Sequence, residues 1–475
     1  MSKILVISPD EIKKEMAGPA IRAFEIARHL EKYHKVALVH RPIDLERLIS
    51  ENDVIICQQL ALTQYPALRN CGKVIVFDLY NLSIFECLEI GIRESKPYQV
   101  LFGEYRPLLN VYTEILKTGD FFICANEQQR DFWLGMLMAF GRIDISRYKD
   151  QDNLKNIIDM VPFGIPKEEP RHTQNVLKGA YPQIAKKDKI IIWGGGVYDW
   201  LDPLTSIRAM HKLVSCRPEI KLFFMGVKNP YRPLPKMRLA QEAIRLSKEL
   251  GLYNKNVFFN DWVEYNERQN YLLEADIGIT THHKNLEAYY SSRTRVLDYI
   301  WANLPIIISE GAGFSEIVKS NNLGLVVGDN DVDGLAQAIL KLIDDNEFYH
   351  NCKNNLNRIA PKFFWEKAVE PLNLFCCHPK VTQNKPAILT INRGLAYYIT
   401  QAPFYLSYFG YKALLIKIWK KFLSKIKCLI RNFIVLLERV LLLIFSFFVL
   451  FVTFTAVFLN DLMEVHIYER NKMRS

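Results

Sequence analysis

The sequence predicts an α/β protein of two doubly wound, Rossmann-like lobes facing each other across a cleft, followed by a C-terminal amphipathic and transmembrane helical tail. Three observations predict it. Short apolar runs alternate with amphipathic helical stretches through the first 345 residues, a proline-rich segment interrupts this alternation once before it restarts, and beyond residue 378 the composition turns basic and then wholly apolar. The alternation is the pattern of a parallel sheet covered by helices on both faces. At 475 residues the chain exceeds what one core usually organises, and 49% apolar against 24% charged residues excludes a disordered chain.

Residues 4–8 form the first buried strand, since the opening Met-Ser-Lys-Ile-Leu-Val-Ile-Ser has no cleavable signal pattern. A helix follows at 20–32, then strands at 36–40, 54–57, 74–77 and 121–125, which together make a first lobe over residues 1–170. Pro162, Pro166, Pro170 and Pro182 among polar neighbours mark residues 161–188 as a linker. Strands resume at 190–193, 222–225, 257–259, 277–280, 306–309 and 325–327, giving a second lobe over 171–378 that ends in a closing helix at 365–375. Ligand binding is expected between the lobes, at the carboxyl ends of the strands.

The tail, residues 379–475, accounts for the net charge of +10. From residue 380 onward there are fourteen Lys/Arg and four Asp/Glu, leaving 47 of each sign in the rest of the chain. Neutral lobes argue against nucleic acid as a partner, and a basic flank to apolar sequence argues for anionic membrane lipid. Lys412, Lys417, Lys420, Lys421, Lys425, Lys427 and Arg431 interleave with apolar residues at helical spacing, and residues 440–459 carry no charge over twenty positions. The excess of positive charge before the run predicts cytoplasmic lobes. A buried core helix is the alternative for 440–459, and crossing and re-entry both remain open for it. The nine cysteines show neither CxxC nor zinc spacing, as expected of reduced thiols.

Chemistry concentrates between the predicted strands at 277–280 and 306–309, in Glu287-Ala-Tyr-Tyr-Ser-Ser-Arg293-Thr-Arg295-Val-Leu-Asp298-Tyr-Ile-Trp-Ala-Asn-Leu-Pro305. Its first half reads as a loop and residues 296–302 as a helix. Arg293 and Arg295 near a helix start suit a diphosphate, because planar guanidinium groups match phosphate oxygens. Asp298 suits ribose hydroxyls. The alternative is a capped helix with a solvated Glu/Arg pair. Gly18, in the loop after the first strand, would let phosphate or acceptor approach the next helix, which carries Arg22; Gly194, Gly195 and Gly226 would act likewise in the second lobe, or make tight turns. Asp78 reads as a base or as a solvated strand-end acid. His282-His283 lacks a third ligand at sensible spacing, and Asp329-Asn330-Asp331 precedes a good helix and reads as an N-cap, so no metal is expected.

This stretch resembles the group 1 (family 4) glycosyltransferases of the GT-B fold, and most closely a bacterial subgroup with the pattern Ser-x-Arg-Thr-Arg-x-Leu-Asp-Tyr-x-Trp-Ala. Asp298 stands at the second Glu of the family signature and Asn303-Leu304-Pro305 at its Gly-x-Pro, while Tyr290 replaces the first Glu, for which Glu287 is the nearest acid. Gly18-Pro19-Ala20-Ile21-Arg22, Phe77-Asp78-Leu79-Tyr80, Gln129 to Gly135, Val161-Pro162-Phe163-Gly164, Trp193 to Gly196 and Asp199 to Pro203 extend the resemblance over roughly residues 1–375. Departures are Gly196 and Leu201 where the family has a donor-binding Arg and Lys, and Gln58 and Phe77 where it has first-lobe histidines. Arg293 and Arg295 are expected to supply the missing charge.

The resemblance implies a retaining transferase that uses a nucleotide-sugar donor and no divalent metal. Glu287, Arg293 and Asp78 are its candidate catalytic residues. Gly18, Arg22, Gly194, Gly195, Gly226, Arg295 and Asp298 are its candidate donor contacts. With the tail, it implies a lipid-linked or polysaccharide acceptor, such as O-antigen or capsule, at the inner membrane of a bacterium. A nucleotide-sugar epimerase of the same fold and an inactive membrane scaffold are the rival readings.

Overall fold

A computed structural model describes residues 1–149, 153–230 and 237–382 together with Lys385; the basic segment and the apolar run at 440–459 lie outside the described residues. Among the described residues no helix is long and apolar enough to cross a membrane.

Two six-stranded sheets, parallel throughout, form the two lobes. The first consists of β1 (Lys3–Ile7), β2 (Lys35–Val39), β3 (Val54–Gln58), β4 (Val74–Asp78), β5 (Phe121–Cys124) and β6 (Ile158–Met160), in the order β2-β1-β3-β4-β5-β6. The second consists of β7 (Lys189–Gly196), β8 (Ile220–Gly226), β9 (Val257–Phe259), β10 (Ile277–Thr280), β11 (Ile306–Ser309) and β12 (Gly324–Val327), in the order β12-β11-β10-β7-β8-β9. The strand order reverses between β1 and β3 in the first sheet and between β7 and β10 in the second. Such switch points open the crevices in which doubly wound sheets bind ligands.

Both faces of each sheet are covered, which explains the unbroken apolar runs. Along β1, Ile4 and Val6 enter one apolar cluster while Leu5 and Ile7 enter another; along β7, Ile190 and Ile192 separate from Ile191 and Trp193 in the same way. One cluster runs through both lobes, from Val6 and Ile123 by way of Val161, Phe163, Ile165, Leu177 and Ile184 to Phe223 and Ile300. The proline-rich segment is therefore no solvated linker. Its prolines space apolar residues that fill the junction.

Three further elements differ from expectation. Strand β6 has three residues and lies at the sheet edge, too short for any apolar period. The loop before Arg293 contains a helix, Leu286–Tyr290, capped by the Asn285 side chain, which accepts from Ala288 N at 2.9 Å. The closing helix Trp365–Cys377 returns to the first lobe rather than completing the second. Ser2 Oγ donates to Cys376 O at 2.6 Å, Phe375 stacks on Phe121 at 4.1 Å, and Lys32, just past the neighbouring helix Gly18–Leu30, pairs with Glu366 at 3.1 Å. Trp365 is fully buried there, and a Cβ on Gly164 would sit 2.7 Å from its ring, so the two residues specify one another. Truncating such a tryptophan costs roughly 3–5 kcal/mol.

Candidate active site

The second lobe builds its part of the site at the β7/β10 switch point. Tyr299, on the helix Arg295–Trp301, reaches between the two strands: its hydroxyl accepts from Gly194 N at 2.8 Å and lies 2.7 Å from Ile279 O and 3.1 Å from Ile192 O. The ring passes so close that a Cβ on Gly278 would meet it at 2.4 Å and one on Gly194 at 3.2 Å. Gly194 thus packs tightly against the ring, which would have to shift by a few tenths of an ångström to admit a side chain there. Gly195 has φ +71°, a left-handed turn that glycine adopts without strain, and nothing lies within 4 Å of its Cβ position. One helical turn before Tyr299, Arg295 is buried with a guanidinium NH2 group 2.9 Å from Gly196 O and its plane 4.7 Å from the Trp193 ring centre. Burial, helped by the neighbouring Arg293 charge, lowers its pKa to about 10.

Arg293 is also buried, and it forms a two-pronged pair with Glu287 at 3.0 and 2.5 Å. Burial raises the pKa of Glu287, and Arg293 opposes that shift. Arg293 takes up the Glu287 carboxylate while Arg295 bonds a carbonyl, and Arg293 Nε and Arg295 Nη1 have no hydrogen-bond partner. His282, just past β10, is fully buried in the field of both arginines, and burial with those charges holds it neutral, well below the usual imidazole range. Tyr290 turns away from these groups. Its ring stacks on Phe85 of the first lobe at 5.3 Å and 6°, and Gln129 Nε2 donates to both Tyr290 O (2.9 Å) and Tyr80 O (2.7 Å).

On the first lobe, Arg22 and Asp78 are joined to each other. Arg22 is fully buried, donates to both carboxylate oxygens at 2.6 and 3.0 Å, and lies over the rings of Tyr80 and Phe163 at 4.9 and 5.1 Å. This arrangement gives Asp78 the task of holding Arg22. Breaking such a pair from one side costs about 3–5 kcal/mol. Gly18 begins the helix that carries Arg22, and its Cβ position has only Tyr80 Oη nearby, at 3.8 Å, so open space remains beside it.

Two candidates stand apart. Asp298 is held by Arg268 at 3.1 Å, whose guanidinium lies 3.9 Å over the Tyr265 ring, and Tyr265 Oη in turn bonds Glu25 of the first lobe at 2.9 Å. Gly226 makes room for Trp262, 2.6 Å from its Cβ position, and Trp262 Nε1 donates to Met16 O of the first lobe at 3.2 Å. Both belong to the lobe junction.

The residue types alone did not disclose Glu86. It lies on the first-lobe helix Ser83–Arg93, which packs on Leu286–Tyr290, and its carboxyl senses Glu287 and Arg293 across the cleft. Burial and the Glu287 charge raise its pKa to about 8. The available signal was a Glu86/Glu89 pair three residues apart on an apolar helix, which also fits a solvated face.

Residues 180–358 match the family model described as Glycosyl transferases group 1. Among solved structures, the chain is similar to HepE of Anabaena in complex with UDP and glucose (15% identity, TM-score 0.57, covering 79% of this chain and 100% of that one). It is similar to sucrose-phosphate synthase from Thermosynechococcus elongatus (14%, TM-score 0.56, 79% and 98%). It is also similar to WaaG, a glycosyltransferase involved in lipopolysaccharide biosynthesis (14%, TM-score 0.55, 79% and 100%). At such identities the shared property is the fold, two facing parallel-sheet lobes of the GT-B kind. No curated protein matches the chain in sequence. The second lobe carries a group 1 glycosyl transferase domain, and the chain is a glycosyltransferase.

Proposed function

We propose that this glycosyltransferase moves a sugar, with retention of its anomeric configuration, from a nucleoside-diphosphate donor to a membrane-associated acceptor in envelope polysaccharide synthesis. The observation that carries the donor half is the excess of buried cation at the β7/β10 switch point. Glu287 is bound by Arg293, Arg295 bonds the Gly196 carbonyl, Glu86 nearby is held neutral through much of the physiological range, and each guanidinium has an unbonded nitrogen. A buried unpaired cation is costly, and a diphosphate would compensate it. The same groups would stabilise the charge that develops on the leaving diphosphate, and lobe closure would exclude water. Open space at Gly18 and Gly195 leaves room for a ligand. Uridine is the favoured base, since the HepE structure contains UDP and glucose.

The acceptor half rests on the tail. Its basic stretch and twenty-residue apolar run suit attachment to an anionic bilayer from the cytoplasmic side of a bacterial inner membrane. The likeness to WaaG, described as involved in lipopolysaccharide biosynthesis, points the same way. No metal enters this reading.

Calorimetry of the full chain against a panel of nucleotide sugars tests the donor half, with R293A/R295A alongside. One donor class should bind. The double variant should lose at least tenfold in affinity, since each charge-assisted hydrogen bond contributes roughly 1.5–3 kcal/mol. Equal binding by the variant, or no binding to the folded parent, would refute the assignment.

A further inference from the structure

We propose that the edge of the first lobe from which the tail departs is a docking surface for an anionic lipid bilayer. The inference rests on the membrane attachment proposed above and adds to it the surface of the lobe that meets the lipid.

Hydrogen bonds gather distant parts of the chain at this edge, where the strands of the first sheet begin. Ser2 Oγ donates to Cys376 O at 2.6 Å, His34 Nε2 lies 2.9 Å from Asn373 Oδ1, and Lys35 N donates to Ser2 O at 3.0 Å. Beyond the closing helix, Thr382 N and Lys385 Nζ both reach Asp120 Oδ1 at 2.7 Å, while Asp120 Oδ2 accepts from Ile75 N at 2.9 Å. The buried Asp120 thereby clamps the root of the tail to the starts of β4 and β5. Lys385 is the last residue described, and the basic stretch and the apolar run follow it in the sequence.

The exposed side chains of this edge are apolar and cationic. Tyr33, Leu374 and Val381 are 57, 62 and 51% exposed. Single exposed apolar residues are ordinary, but these stand among Lys3, Lys35, Lys73 and Lys380. The ion pairs of the edge engage other lysines, Lys32 with Glu366 and Lys385 with Asp120. Against the free lysines stand the exposed acids Glu31, Asp53 and Glu370, of which Asp53 accepts from Lys3 N at 2.9 Å. A tyrosine and aliphatic side chains interleaved with lysines suit the headgroup boundary of an anionic bilayer, where the apolar groups enter and the ammonium groups meet phosphate. The sequence that leaves this edge names the same occupant, with fourteen Lys/Arg against four Asp/Glu from residue 380 onward and a twenty-residue uncharged run. A second exposed apolar group, Tyr98 and Phe102, lacks these features. Its lysine, Lys96, is paired with Glu94 and Glu104, and it begins the helix Tyr98–Thr118 whose other end holds Lys385 through Thr118 O. The docking edge also bears on the acceptor. The five residues of β1 span about 17 Å from this edge to the cleft, so the sugar end of a bilayer-held acceptor has to reach at least that far, as a chain of several sugars does.

The test is hydroxyl-radical footprinting, read by mass spectrometry, of the full chain reconstituted in vesicles of phosphatidylglycerol or of phosphatidylcholine. Oxidation of Tyr33 and Leu374 should fall severalfold on phosphatidylglycerol and stay high on phosphatidylcholine, while Tyr289, exposed on the second lobe, is oxidised alike on both. The K3E/K35E/K380E variant, or the parent at high salt, should regain full oxidation on phosphatidylglycerol while still floating with the vesicles, because charge reversal and screening remove the same attraction. Equal oxidation on both lipids overturns the proposal: high on both leaves the edge free, and low on both gives it to the tail, or to a second copy where protection grows with protein density. Protection of Tyr98 and Phe102 in place of Tyr33 and Leu374 also overturns it. A full chain that floats with neither vesicle fails the membrane reading itself and takes this assignment with it, while flotation with unchanged oxidation removes the docking edge alone.

Discussion

At the residue scale, Arg295 and Tyr299 show how one helical turn joins chemistry to structure. Arg295 lies against Trp193 with one nitrogen unbonded, and Tyr299 ties the ends of β7 and β10 through its hydroxyl. Replacing Tyr299 by Phe removes the acceptor of Gly194 N and leaves that buried amide unpaired, which costs about 1–3 kcal/mol. Urea unfolding should show the loss as a lower midpoint with an unchanged slope, and donor affinity should fall because Tyr299 holds Gly194, next to Gly195, and lies one helical turn from Arg295; an unaltered midpoint would mean that the strand ends do not depend on Tyr299. Arg293 and Arg295 were legible as a basic pair in a strand-to-helix segment, but their burial, with Arg293 on Glu287 and Arg295 on the Gly196 carbonyl, was not. Asp78 and Asp298 were legible as charged residues near the cleft but not as partners of Arg22 and Arg268, since those partners lie 56 and 30 residues away in the chain.

At the scale of elements, the short helix Leu286–Tyr290 connects the lobes. Asn285 caps it, Glu287 on its inner side meets Arg293, and Tyr290 at its end inserts between Phe85 and Phe132 of the first lobe. A tyrosine where the resembling family has an acid thus serves lobe contact instead of substrate. Tyr290→Ala should loosen this contact. Small-angle scattering of the ligand-free variant is expected to give a larger radius of gyration than the parent, and Tyr290→Phe, which keeps the ring stack, the parental value; identical radii for all three would leave the contact without a part in closure. The strands were legible because residues such as Ile190 to Trp193 are buried on both faces, a pattern that survives in composition alone. The closing helix was legible as a helix but not in its destination. Its contacts with Ser2, Phe121 and Lys32 pair residues more than 250 positions apart, and nothing in its own period names the surface it meets.

At the scale of the whole molecule, the two lobes divide the reaction. The second holds buried cations at its switch point, the first leaves open space at Gly18, and the junction through Val161, Phe163, Ile165 and Trp365 joins both in one apolar core. The charge balance of the sequence, neutral in the lobes and basic in the tail, fits the membrane setting proposed for the acceptor. The proposed reaction is sugar transfer from a nucleotide donor, anchored by Arg293 and Arg295, to a membrane-associated acceptor. Incubating the full chain with an isotope-labelled nucleotide sugar and bacterial membrane lipid tests it most directly. Label should appear in the lipid-extractable fraction, matched by release of nucleoside diphosphate and abolished in R293A/R295A. Label that stays wholly soluble, or transfer that the double variant performs at the parental rate, would contradict it.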